Sequence, residues 1–206
     1  MARLGQVASD DQAFQKVLER LENEVGTMLG LIDTGKLEKG LFPGAAPFWS
    51  LVRMTFPIAE SIGDLVYRHD STVQNLRLVL EHDFEAVRTG YADKSAALAL
   101  LYRHSLTHQD EMRSLQTGGR ELGWQLSYRY GADHLRVTNH GPTLWSLHFD
   151  TTTFYEDMVA VCRALIGRTW NGAVMDRYNS WLTYDLDAVQ PQNQGVRAAI
   201  TFIRGL

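Results

Sequence analysis

The chain has 206 residues, 45% hydrophobic and 21% charged, an ordinary globular composition with enough apolar side chains for a sizeable core. A formal net charge of −4 and a sequence pI near 6.0 exclude a molecule-wide positive field, so contact with RNA or DNA would need a local basic patch. One cysteine excludes an intramolecular disulfide and a cysteine-rich metal centre. That residue, Cys162, stands in the apolar run Met158-Val159-Ala160-Val161-Cys162 and reads as a buried small hydrophobe. No apolar run approaches the ~18 residues of a membrane span, and the start of the chain lacks a leader-like apolar stretch. The expectation is a soluble protein in a reducing, cytoplasmic setting with no membrane contact.

In chain order, the first helix is predicted from Asp10 or Asp11 to about residue 31, because Phe14, Val17, Leu18, Leu21, Val25, Met28 and Leu29 recur at helical spacing behind acidic residues. Gly35, Gly40, Pro43 and Gly44 then mark a loop. A second helix begins near Ala46 or Pro47 and carries Phe48, Leu51, Val52, Phe56, Ile58, Ile62 and Leu65, with Pro57 inside it. An internal proline removes one backbone hydrogen bond and bends the segment. Ser71 or Thr72 can cap a third helix through Val73, Leu76, Val79, Leu80, Phe84 and Val87, which Gly90 ends. A fourth helix is expected over residues 93–112, with Ala96, Leu98, Leu101, Tyr102, Ser105 and Met112 on one side.

The pattern then changes. Gly118-Gly119 breaks the helix, and residues 124–130 alternate with period two. Gly131-Ala132-Asp133 reads as a turn into a strand over residues 134–138, and Gly141-Pro142 separates a third strand over residues 144–149. Helical spacing returns from Thr151 to about residue 166, and a last helix is expected over residues 173–188. This reads as one domain over residues 1–206: a mainly α, antiparallel helical bundle at 10–115, a small antiparallel β-hairpin or three-stranded insert at 120–150, and C-terminal helices at 151–206.

The chemically richest stretch is Tyr102-Arg103-His104-Ser105-Leu106-Thr107-His108-Gln109 on the fourth helix. Arginine is always charged and histidine titrates near neutrality, so the pair can hold a phosphate and move a proton without a metal. The bare R-x4-H spacing also occurs at Arg77/His82 and Arg129/His134. Only Arg103/His108 has a polar residue, His104, directly after the arginine and lies late in an amphipathic helix.

An arginine, a polar residue and a histidine in this arrangement on a late helix of a bundle resemble the HEPN superfamily, whose name stands for higher eukaryotes and prokaryotes nucleotide-binding. The resemblance covers residues 10–115. It implies a HEPN-like helical bundle and, in catalytic members, metal-independent RNA cleavage by the motif arginine and histidine. Carried over, these are Arg103 and His108, with His104 as the supporting polar partner. The tyrosine that toxin members carry two residues after the motif histidine is replaced here by Asp110.

Five residues at roughly 100° each set Arg103 and His108 about 140° apart around a helix, so one copy cannot aim both at one atom. A homodimer that faces two such helices can. His108 would then exchange protons with a ribose 2′-hydroxyl or the leaving 5′-oxygen, and Arg103 would stabilise the developing charge.

Two functional readings stand: an endoribonuclease in defence or stress response, and a non-catalytic HEPN module binding nucleotide, RNA or a protein partner. A structural role for His108, beside the apolar side of its helix, stands beside them. His104 and His108 also have the i, i+4 spacing of a two-histidine metal pair with Asp110 and Glu111 nearby, but Ser105 replaces the glutamate of an HExxH motif. No cofactor and no metal are expected. Trp124, Tyr128, Tyr130 and Trp145 read as cross-strand packing or as a base-stacking face.

Overall fold

The computed structural model describes residues 5–34, 46–104, 114–129 and 131–182, and of residues 46–49, 103 and 104 it describes the backbone alone. The first helix, α1, is built from Asp10–Leu21, a wide π turn at Glu22–Gly26, and Thr27–Asp33. Ser9 caps it: its hydroxyl accepts from Gln12 N at 3.2 Å, while Gln12 Oε1 accepts from Ala8 N at 2.7 Å. Leu21, Val25 and Leu29 are four residues apart, a spacing that drifts off one face of an ideal helix. The wider winding keeps all three buried.

Helix α2 (Ala46–Tyr67) runs unbroken through Pro57. It meets α3, built from Thr72–Val79, Leu80–Phe84 and Glu85–Val87, at Gly63, where an added Cβ would lie 2.3 Å from the Asn75 carbonyl oxygen. Only glycine permits that approach. Helix α4 comprises a 3₁₀ turn at Ala92–Lys94, Ser95–Leu98 and a π-wound stretch at Ala99–His104. Helices α5 (Thr151–Leu165) and α6 (Ala173–Trp181) follow the sheet.

The four strands are β1 (Leu115–Thr117), β2 (Arg120–Ser127), β3 (Val137–Asn139) and β4 (Leu144–Asp150), in the spatial order β1-β2-β4-β3. Gly118 and Gly119, at φ of 55° and 74°, make the tight two-residue turn between β1 and β2. β2 and β4 are parallel, with Leu122 opposite Trp145, Trp124 opposite Leu147 and Leu126 opposite Phe149. β3 is antiparallel to β4.

This overturns the expected HEPN-like antiparallel bundle with a small hairpin or three-stranded insert: the described fold is an α/β mixture with a four-stranded mixed sheet. Period-two alternation reports that a segment is extended, not which neighbour it takes or in which direction. Here the link after β2 passes through a 3₁₀ turn at Gly131–Asp133 and two left-handed residues, Arg129 and Leu135, and delivers β3 beyond the place where β4 will lie. β4 then enters between its predecessors, antiparallel to β3 and therefore parallel to β2.

The sheet is not an appendage to the helices. Leu147 and Phe149 are fully buried, and the Phe149 ring lies 4.7 Å from Tyr102, 5.3 Å from Phe56 and 4.9 Å from Phe154, centre to centre. α2, α4, β4 and α5 thus meet in one aromatic cluster, the kind of packing that contributes beyond buried area alone. Trp124 and Tyr128 pack against the same core, as expected for cross-strand packing. Cys162 is fully buried, and burial pushes its thiol up to about 12, which leaves it inert near neutral pH. No described helix is long and apolar enough to cross a membrane.

Candidate functional site: a helix–sheet cleft beside a buried histidine

Arg103 and His104 lie in the last, π-wound turn of α4, and His108 lies outside the described residues, as do Asp110 and Glu111. Among the described residues no three His, Cys, Asp or Glu side chains gather as metal ligands. The two other R-x4-H copies are occupied structurally. Arg77 pairs with Glu81 at 3.0 Å, and His82 lies against the Tyr67 ring at 5.8 Å. Arg129 binds Asp33 on α1, whereas His134 enters a buried polar chain.

That chain joins four elements. Arg88, at the end of α3, donates to both carboxylate oxygens of Asp157 on α5, at 2.7 and 3.1 Å. Asp157 also accepts from the Tyr91 hydroxyl at 2.8 Å, and the Tyr91 oxygen lies 2.8 Å from His134 Nε2. His134 Nδ1 accepts from the backbone N–H of Asp150 at 2.9 Å. An accepting Nδ1 puts the ring proton on Nε2, so His134 donates to Tyr91 and Tyr91 donates to Asp157. Tyr91, Asp157 and His134 are all buried. Burial holds His134 down to about 4, and burial together with the Asp157 charge holds the Tyr91 hydroxyl well above its ordinary value. Both groups are neutral at physiological pH, every hydrogen bond is complete, and the chain ties α3, the β2–β3 link, β4 and α5 together.

On the outer face of the sheet, Thr138 Oγ1 meets His148 Nε2 at 2.9 Å and Ser146 Oγ meets His140 Nε2 at 2.8 Å. Both are hydroxyl–imidazole pairs that join β4 to β3 and the turn after it, and burial lowers the His148 pKa.

One open feature among the described residues lies on the sheet's inner face. Between α4 and the strands is a cleft of about 570 Å³, walled by Ala97 and Leu100 of α4, Leu115 of β1, Leu122 of β2, Val137 of β3, and Trp145 and Leu147 of β4. The alternation of β2 and β4 explains the wall, since the residues paired across them on this face are Leu122 with Trp145 and Trp124 with Leu147. Leu100 and Val137 remain 48% and 47% exposed, a small apolar patch next to the core. Asp93, Lys94, Arg120 and Glu121 border the cleft. The Arg120 guanidinium stacks 5.7 Å above the Trp145 ring, Lys94 Nζ donates to the Gly90 carbonyl at 3.2 Å, and Glu121 accepts from the Gln116 amide at 3.1 Å.

The size and lining match small-molecule sites, which are concave, mostly apolar and edged by a few polar groups. Chemically, the cleft can bind and orient a ligand, and its titratable side chains among the described residues are Asp93, Lys94, Arg120 and Glu121. Sequence reasoning missed Lys94 and Arg120 as site residues. Arg120 was within reach, because it alternates with Leu122 and Trp124 once β2 is extended backward to the glycine turn. Comparisons with protein-family models, curated proteins and solved structures found no match for this chain.

Proposed function

We propose that this protein is a non-catalytic binding module whose ligand is a small amphiphilic molecule held in the cleft between α4 and the sheet. The observation that carries this reading is the cleft itself: about 570 Å³, apolar on both the helix and the strand side, with charge only at its border. A folded protein gains by burying such surface, so leaving it open is a cost that a ligand would offset. The test is titration with a neutral apolar dye, Nile red. Saturable binding to the native chain, lost in Ala97→Trp because the indole fills the space, supports the reading; unsaturable binding, or equal binding by the filled variant, ends it.

A second reading keeps Arg103, His104 and His108 as the groups of a metal-independent endoribonuclease assembled across a homodimer. In its favour, Arg103 and His104 stand in a π-wound turn, a local geometry often found at functional sites, directly after cleft-lining Leu100. This reading requires single-stranded RNA to be cut in EDTA, leaving 2′,3′-cyclic or 3′-phosphate ends, with a loss of about 10²- to 10⁴-fold in His108→Ala. Intact RNA across varied substrates removes it.

A further inference from the structure

We propose that the cleft's ligand is an amphiphilic anion, with an apolar body against Leu100, Leu122 and Val137 and a carboxylate-like head held by Arg120 and Lys94. This rests on the binding-module reading and adds the chemical class of the ligand. The argument begins with the two cations. β2 alternation places Arg120 on the same sheet face as Leu122, and its guanidinium lies over Trp145. A guanidinium held over a ring as a cation keeps N–H groups to donate, and these can receive a carboxylate through two parallel bonds. Lys94 has three donors, of which the Gly90 carbonyl takes one.

Neither cation has a carboxylate partner among the described residues, in contrast with basic side chains elsewhere in the fold. Arg77 pairs with Glu81, Arg88 with Asp157, Arg168 with Asp83 and Arg129 with Asp33. The border also holds two acids, Asp93 and Glu121, but among the described residues neither pairs with Arg120 or Lys94. Alternation sets Glu121 on the opposite face of β2 from Arg120, and its carboxylate takes the Gln116 amide. A cationic head beside Arg120 and Lys94 would meet repulsion, and a neutral head would leave both cations without a charged partner.

The experiment compares three ligands with the same twelve-carbon body, dodecanoate, dodecan-1-ol and dodecylamine, titrated into the full chain below their micellar concentrations and followed by tryptophan fluorescence. Dodecanoate should bind at least tenfold more tightly than the alcohol, and the amine most weakly. Arg120→Gln and Lys94→Gln should each weaken dodecanoate several-fold and the alcohol less. Equal binding of all three ligands, abolished by Ala97→Trp, would overturn the anion assignment and leave the cleft reading standing. Dodecanoate binding that survives both Ala97→Trp and Leu100→Glu would overturn the cleft reading itself. Leu100 is half exposed, so its glutamate variant keeps the test decisive if the tryptophan variant does not fold.

Discussion

The Arg88–Asp157–Tyr91–His134 chain and the α4–sheet cleft treat polarity in opposite ways. In the first, a carboxylate, a phenol and an imidazole are buried, and each has its partners at 2.7 to 3.1 Å. In the second, leucines and a valine face open space and two cations have no carboxylate partner among the described residues. A histidine beside a tyrosine and an aspartate invites a catalytic interpretation, yet its completed hydrogen bonds leave no lone pair or proton to offer a substrate. The incomplete region is the one proposed to bind. Saturation of hydrogen bonds, more than the residue types present, separates a structural cluster from a site.

This contrast breaks first at Asp157. Asp157→Ala strips the Arg88 guanidinium and the Tyr91 hydroxyl of their acceptor and should cost about 3 kcal/mol in chemical denaturation, the low end of the range for a buried pair because Arg88 is itself 42% exposed. A loss under about 1 kcal/mol would mean the chain does not hold the fold together. Next comes pH. His134 has a folded value of about 4 against an ordinary 6.5, so the unfolded chain takes up the proton first as pH falls. Its contribution is complete above pH 6.5 and is lost on descending toward about pH 4, with a slope of up to about 1.4 kcal/mol per pH unit. The lowered His148 acts in the same direction. His134→Gln should flatten the slope without removing it; an unchanged slope would place the titration elsewhere.

A smaller effect is expected from Tyr91→Phe, which removes one oxygen and leaves His134 Nε2–H and one Asp157 oxygen each short of a partner. About 1–3 kcal/mol is the expected loss, read as a lower denaturation midpoint with the slope of the transition preserved. The smallest stability change belongs to the cleft. Lys94→Gln and Arg120→Gln should stay within about 0.5 kcal/mol of the parent, because neither removes a buried partner. A loss above about 2 kcal/mol in either would make that cation structural and erase the contrast.

Much of the helical content was legible from the sequence because amphipathic spacing is a local signal. Asp10, Ser71 and Ala173 mark helix starts where the structure has them or within one residue, and Pro57 lies inside a helix as read. The strand readings were partly right. Residues 144–149 match β4, but β2 begins at Arg120 rather than 124, and the stretch read as a strand from residue 134 holds left-handed Leu135 and becomes β3 only at Val137. Gly118-Gly119, read as a helix breaker, is a hairpin turn. The candidate motif at Arg103, His104 and His108 was chosen for its spacing. The described cleft begins one turn earlier on the same helix, at Ala97 and Leu100.

By itself the sequence determined where most helices start, that residues 124–127 and 144–149 are extended, that Gly118-Gly119 interrupts the chain, and that Cys162 would be buried. Each of these depends on neighbours within a few residues. Only the tertiary structure decided that β4 lies between β2 and β3 and runs parallel to β2, since a strand's alternation is the same whatever its partner. It alone joined His134 to Tyr91 and Asp157, which lie 43 residues from His134 and 66 from Tyr91 in sequence. It also set Lys94 of α4 and Arg120 of β2 on one cleft. Hydrogen bonds and concave surfaces act through space, and their partners are found by how the layers pack rather than by spacing along the chain.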